Sequence, residues 1–172
     1  AMGAICKGLH GGLGIPLWTP STPKAYKVPG GLKTAPEASA LKVVYFPSCL
    51  NQTMGVSAKG SPVKKPLVNE MTELLRKAGY EVIFPKDMDS LCCGTIWESK
   101  GMPEIADRKT AELEAALLEA SENGKYPVLC DQSPCLHRMR SKIKSLQLYE
   151  PAEFIYDFLM PRLKVVRKEP RV

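Results

Sequence analysis

The chain has no run of about 18 consecutive apolar residues, so no segment of it reads as a membrane-spanning helix. It does not open with a basic stretch followed by an apolar one, the pattern of a secretory leader. The opening AMG reads instead as an expression-vector remnant. With only two histidines, His10 and His137, no Ser–His–Asp arrangement emerges. No Walker loop is present, and GGLG at 11–14 follows no strand, so it signals flexibility rather than a phosphate cradle. There is no C-x2-C knuckle, the common signature of a structural zinc site. A charge excess on the folded body is missing as well. The net charge is +6, but residues 1–42 carry +4, residues 162–172 carry +4, and the body between them carries −2. A nucleic-acid module would place its excess on a folded face, so nucleic acid is not an expected partner.

What is present divides into three zones. Residues 1–41 hold seven of the thirteen glycines and five of the fifteen prolines and read as an irregular linker or arm. Leu17, Trp18 and Tyr26 are its candidate anchors to a surface. Residues 162–172 read as a basic tail leading onward. Residues 42–161 alternate two kinds of pattern. KVVYF (42–46), YEVIF (80–84), PVLC (127–130) and LQLYE (146–150) are short β-rich runs. Between and after them lie helical spacings. Apolar residues fall at 67, 68, 71, 74, 75 and 78, with Gly79 at the cap position. A long helix over 103–123 has Ile105, Leu113, Ala116, Leu117 and Ala120 on one face. Another is capped by Ser133 with Pro134 at its first position, and a last one starts at Pro151. The order βαβαβαβα predicts an α/β fold, a four-stranded parallel sheet with helices on both faces and right-handed crossovers.

The six cysteines, in a chain of this size without a secretory leader, favour metal or redox chemistry over a disulfide framework. Cys6 stands alone in the arm and reads as a bystander. The others follow strands: Cys49 after the first, the adjacent Cys92 and Cys93 after the second, Cys130 at the end of the third and Cys135 five residues on. In a parallel α/β sheet those strand ends share one edge, where ligands bind. Adjacent cysteines make a poor disulfide with each other, so the pair in LCCG serves two partners or one multi-atom partner. Cys130, in a strand, equally suits a small core residue. Cys135, near a helix start, equally suits a nucleophile of lowered pKa. Soft thiolates select zinc, copper(I) or iron–sulfur clusters. A polynuclear cluster gives adjacent cysteines a reason that a single zinc does not.

Cys49, CCG at 92–94, Cys130 and Cys135 together resemble the cysteine-rich CCG domain of the heterodisulfide reductase and glycolate oxidase iron–sulfur subunit kind. PLWTPSTPK (16–24), YFPSCLNQTMG (45–55), LCCGTIWESKGM (91–102) and CDQSPCLHRM (130–139) resemble the C-terminal part of large FAD-linked D-lactate dehydrogenases. In one respect the chain departs from the pattern. The family ends in C-x2-C, whereas Cys135 comes two residues late and position 133 is Ser.

The resemblance implies an iron–sulfur cluster, a [4Fe–4S] of non-cubane type, held by Cys49, Cys92, Cys93, Cys130 and Cys135, with zinc in its place in some relatives. A cluster of this kind is oxidatively labile, so a chain handled in air is expected to lose it. The resemblance further implies a parent dehydrogenase with an FAD domain, a ferredoxin-like domain and a second CCG repeat. That parent would pass electrons to an acceptor such as a quinone or cytochrome. The expected location is cytoplasmic, with the parent peripheral at the inner face of the membrane. Two other readings stand beside this one. The first is a docking module whose thiols hold zinc or nothing. The second is a thiol–disulfide domain with Cys135 as nucleophile. Around the cysteines, Trp97 and Lys100 are candidates to face the cluster or a neighbouring domain. Asp131 is a candidate acceptor or helix cap.

Overall fold

The computed structural model describes residues 2–17, 41–56, 65–164 and 166. Four strands, β1 (Leu41–Phe46), β2 (Tyr80–Ile83), β3 (Val128–Cys130) and β4 (Leu148–Tyr149), form one sheet in the order β2-β1-β3-β4. All three pairings are parallel: Leu41 lies opposite Tyr80, Val44 opposite Val128, and Val128 opposite Leu148. A strand buried on both faces reads as a continuous apolar run, and Val43, Val44, Tyr45 and Phe46 of β1 are all buried.

Successive strand residues point to opposite faces, and the core divides accordingly. Val44, Phe46, Val128 and Cys130 pack with Leu113 and Leu117 of α5 (Pro103–Ala120) and with Leu136 and Met139 of α6 (Ser133–Lys142). Val43, Tyr45 and Leu129 pack with Val68, Met71 and Leu75 of α3 (Leu67–Lys77) and with Phe154 of α7 (Pro151–Phe154). The predicted architecture, a parallel sheet with helices on both faces, is the observed one. Gly79, just past α3, has φ +87, the left-handed value that favours glycine there.

Boundaries and short elements differ from the sequence expectation. The long helix stops at Ala120 rather than at 123, because Glu122, Asn123 and Gly124 all take positive φ in the turn that follows. The cap of α6 is Gln132, extended at φ −135, whose carbonyl accepts the Leu136 N–H at 2.9 Å. Ser133 is therefore the first helical residue and Pro134 the second. After α7 the chain continues in a π-turn over Ile155–Leu159. Residues Met2–Leu13, expected to be irregular, form α1. Glycine lowers helix propensity by about 1 kcal/mol each without forbidding the helix, and no proline interrupts before Pro16. Leu17 is exposed. Trp18, Tyr26 and most of the tail lie outside the described residues. Among the described residues no helix is long and apolar enough to cross a membrane.

Candidate functional site

The strand order creates a switch point. From β1 the chain passes through α3 on one face to β2, then crosses by α5 on the other face to β3. In open parallel sheets the crevice outside the carboxyl ends of such strands is the usual ligand position. Three loops bring thiols to this edge. Ser48, buried after β1, caps the short helix α2 (Cys49–Thr53), its side chain accepting the Asn51 N–H at 3.3 Å. Cys49 is thus the first residue of α2. Leu91, Cys92, Cys93 and Gly94 lead into α4 (Thr95–Glu98). Cys130 closes β3, and Cys135 lies on the buried face of α6.

Asp131 joins two of these loops. Its carboxylate accepts the Tyr45 hydroxyl and the Ser48 N–H, each at 2.8 Å. The turn that carries Cys49 is thereby tied to the end of β3. Asp131 is an acceptor, as the sequence suggested, but what it fixes is the neighbouring loop rather than its own helix.

Gly94 has φ +89, and a Cβ there would lie 2.8 Å from Arg138 Nε and 2.9 Å from Thr110 Oγ1, with the Ala106 carbonyl closer still. Both demands, the left-handed backbone and the close approach, select glycine. The carbonyl of Cys93 accepts from Thr110 Oγ1 at 2.8 Å and from Arg138 Nε at 3.1 Å. Arg138 is itself buried, 3% exposed, and is paired with Asp107 at 2.6 Å and with Glu98.

The thiols interact in a chain: Cys49 with Cys92, Cys92 with Cys93, and Cys93 with Cys135. Cys93 is at the hub. Hydrogen bonds from the Cys135 and Cys92 thiols hold it well below the usual thiol range. The Thr95 hydroxyl, 3.3 Å from its sulfur, and the Thr95 amide add to this against the opposing effect of burial. Cys92 is pushed up because its thiol proton is held by Cys49 and Cys93 and because it is partly buried; the Gly94 N–H, which its sulfur accepts at 3.4 Å, acts in the opposite direction. Cys135 is likewise pushed up, first by donating to Cys93 and then by burial. The helix-start position expected to lower its pKa is opposed by that bond and by burial. Cys49 is exposed and lowered to about 6, chiefly by its hydrogen bond with Cys92.

Cys130 differs from these four. It is fully buried, pushed up to about 12 mainly by desolvation, and its Sγ lies 3.8 Å from the Gln132 carbonyl. It feels Cys93 and Cys49 only through their charge. Cys6 sits on α1, outside the chain of thiols. All six cysteines are free thiols. His137 is exposed on α6, and His10 is exposed with its Nδ1 2.8 Å from the Ile15 carbonyl. Trp97 is half-buried on α4 and Lys100 exposed just beyond it. Among the described residues, no three His, Cys, Asp or Glu side chains are grouped as ligands round one metal ion.

These thiol states give a direct expectation. In the metal-free protein at pH 7.5, iodoacetamide should label Cys49 first, because its sulfur is both exposed and ionised. The labelling rate should fall as the pH drops through about 6, where that thiolate takes up its proton. Cys130 should stay unlabelled until the protein unfolds. Peptide mapping after a timed pulse checks both.

Thiols delivered by three loops to the carboxyl edge of a doubly wound parallel sheet define a cysteine-rich α/β domain, a class suited to metal, cluster or redox chemistry. The chain belongs to the cysteine-rich CCG domain family. The family model matches residues 43–140, more than half of the chain, from β1 through most of α6. No curated protein and no solved structure shows a significant match. Membership in this family points to metal or cluster binding or to a redox role.

Proposed function

We propose that residues 42–161 are the cluster-bearing, electron-transfer domain of a flavin-linked D-lactate (D-2-hydroxyacid) dehydrogenase, and that an iron–sulfur cluster of the [4Fe–4S] type is its cofactor. The observation that carries this reading is the run of interacting thiols Cys49–Cys92–Cys93–Cys135, drawn from three loops to one edge of the sheet. The donor set suits a polynuclear cluster. Thiolates are the usual ligands of iron–sulfur clusters, and adjacent cysteines can each serve a different iron. A single zinc asks for four donors round one point. Cys49, Cys92, Cys93 and Cys135 are the proposed ligands. Cys130, buried beneath them, is the fifth candidate. When bound, the cluster supplies one-electron transfer. The chain's own part is to present ionised sulfur, with Cys93 and Cys49 already biased that way, and to cover the buried side of the site with Met88, Leu91 and Leu136.

The finer identity rests on the motif resemblance at 45–55, 91–102 and 130–139. The parent's FAD domain, ferredoxin-like domain and second CCG repeat are the proposed partners, with a quinone or cytochrome as acceptor. Exposed Leu50, Met54, Ile96 and Met102, on the segments that follow Cys49 and the CCG loop, support docking of other domains at this edge. The proposed location is the cytoplasm, at the inner face of the membrane through the parent.

A second reading is favoured by one observation, the exposed and partly ionised Cys49 beside Cys92. It is thiol–disulfide chemistry with Cys49, not Cys135, as nucleophile. Anaerobic reconstitution with ferrous iron and sulfide separates the two. A brown protein with stoichiometric iron and acid-labile sulfide is the expected result. A colourless chain that takes up zinc or no metal, yet forms a Cys49–Cys92 disulfide on mild oxidation, would replace the cluster reading with the second one.

A further inference from the structure

We infer that Arg138 is the positioning residue of the CCG loop, holding Cys93 in place through its carbonyl without touching its sulfur. This rests on the reading of Cys93 as a ligand. Arg138 lies inside the protein on α6, and its guanidinium reaches groups on both sides of Gly94. Before the glycine, Nε donates to the Cys93 carbonyl at 3.1 Å. After it, Nη1 meets the Glu98 carboxylate on α4, as an ion pair rather than along an N–H direction. Two further contacts anchor the group to α5: Nε to Thr110 Oγ1 at 3.2 Å and Nη2 to Asp107 Oδ1 at 2.6 Å. Asp107 is shared with Lys142 at 2.9 Å. One planar fork therefore fixes the CCG loop, α4 and α5 against α6. A lysine ammonium is a single point charge and cannot span these directions at once.

A buried cation is costly to desolvate and is often no more stabilising than a well-packed apolar residue of similar size. What it adds here is orientation. Cys135 stands three residues before Arg138 on α6, and residues so spaced share a helix face. Both are buried. The same face of α6 thus presents one thiol directly and sets another by way of its backbone carbonyl. The spacing between Cys93 and Cys135 is carried by one rigid element instead of by two independent loops.

Hydrogen exchange on the full chain tests this, with Arg138→Met and Arg138→Lys as variants. Exchange in peptides covering residues 91–98 should rise about tenfold, the change expected on losing a charge-assisted hydrogen bond, while peptides of β1 and β3 stay as in wild type. In reconstituted protein, loss of iron to a chelator should quicken by a similar factor for both variants. If exchange instead rises equally in 91–98 and in the strands, or nowhere, Arg138 only stabilises the fold and the inference is overturned. Thr110→Val, which removes the second donor to the Cys93 carbonyl together with one acceptor of Arg138 Nε, carries the test should Arg138→Met fail to fold. It should loosen 91–98 less than Arg138→Lys does, and an unchanged loop in both would equally overturn the inference. The exchange arm needs no cluster. A wild-type chain that takes up no iron but shows the localised exchange would remove the cluster reading and leave the role of Arg138 standing.

Discussion

Cys92→Ser and Cys93→Ser should each bring the iron content of reconstituted protein below about a tenth of wild type, as expected when a thiolate ligand is replaced by a hydroxyl too weakly acidic to ionise. The two cannot substitute for each other. Cys92 links Cys49 to Cys93, and Cys93 links Cys92 to Cys135, so removing either breaks the run of sulfur at a different place. The fold should survive both changes, because the core is built from β1, β3 and the apolar faces of α3, α5, α6 and α7. Cys92→Ser, in a half-buried loop position, should cost within about 0.5 kcal/mol. Cys93→Ser should cost about 1 kcal/mol more, since it places a hydroxyl at a site only 3% exposed. Cys130→Ala should keep its iron if the four-thiol set is complete, and lose it if the fifth thiol is a ligand. Cys6→Ser should change neither iron nor stability. In the proposed parent enzyme, Cys92→Ser and Cys93→Ser should leave flavin reduction by D-lactate intact and slow electron delivery to the acceptor. Full iron content in both variants would show that the adjacent thiols are not ligands.

Gly94→Ala is the second large effect, and its readout is stability. A left-handed backbone costs an L-residue about 1–2 kcal/mol. The added Cβ also collides with the Ala106 carbonyl and comes within 3 Å of Arg138 and Thr110, and such overpacking costs about 1–3 kcal/mol. The expected loss is about 3 kcal/mol, measured by urea denaturation of the metal-free protein. The surroundings have little room to relax, since Arg138 and Thr110 are buried and both are bonded to the Cys93 carbonyl. Gly101→Ala is the control. It shares a positive φ of +73 but meets nothing within 4 Å, so it should lose only the backbone part. Equal losses in the two variants would show that close packing at Gly94 carries no weight.

The sheet was legible because its signals are local. Each strand is a short β-branched or aromatic run, and each long helix carries its apolar residues at helical spacing: Val68, Met71 and Leu75 in α3, Leu113 and Leu117 in α5. Convergence of the thiols followed from parallel topology alone. The short helical turns that flank the thiols were not legible. The helices α2 and α4 and the 3-10 turn Met88–Ser90 are too short to show a period, although Ser48 before Cys49 is the kind of residue that caps a helix. The missed residues Arg138 and Thr110 have a different explanation. A buried arginine is intelligible only through its partners, and Glu98, Asp107 and the Cys93 carbonyl lie far back along the chain. The thiol states were misread for the same reason. A helix start says that Cys135 should ionise, but the neighbouring Cys93 sulfur, which no local pattern places there, keeps its proton on.

The parallel pairing also sets an order in time. Leu41 meets Tyr80, and Val44 must wait for Val128, so among the described strands no hairpin can form early and each contact closes a long stretch of chain. Folds dominated by such distant contacts assemble slowly. Cys49 and the Cys92–Cys93 pair can approach once β1 and β2 have met, but Cys135 arrives only after β3 has docked on the other side of β1. A chain emerging from the ribosome therefore carries three reactive sulfurs well before the fourth is in place. In that interval an oxidant can trap a Cys49 disulfide before the Cys135 thiol has reached the site. The yield of usable protein should then depend on how reducing the surroundings are while β3 is still being made.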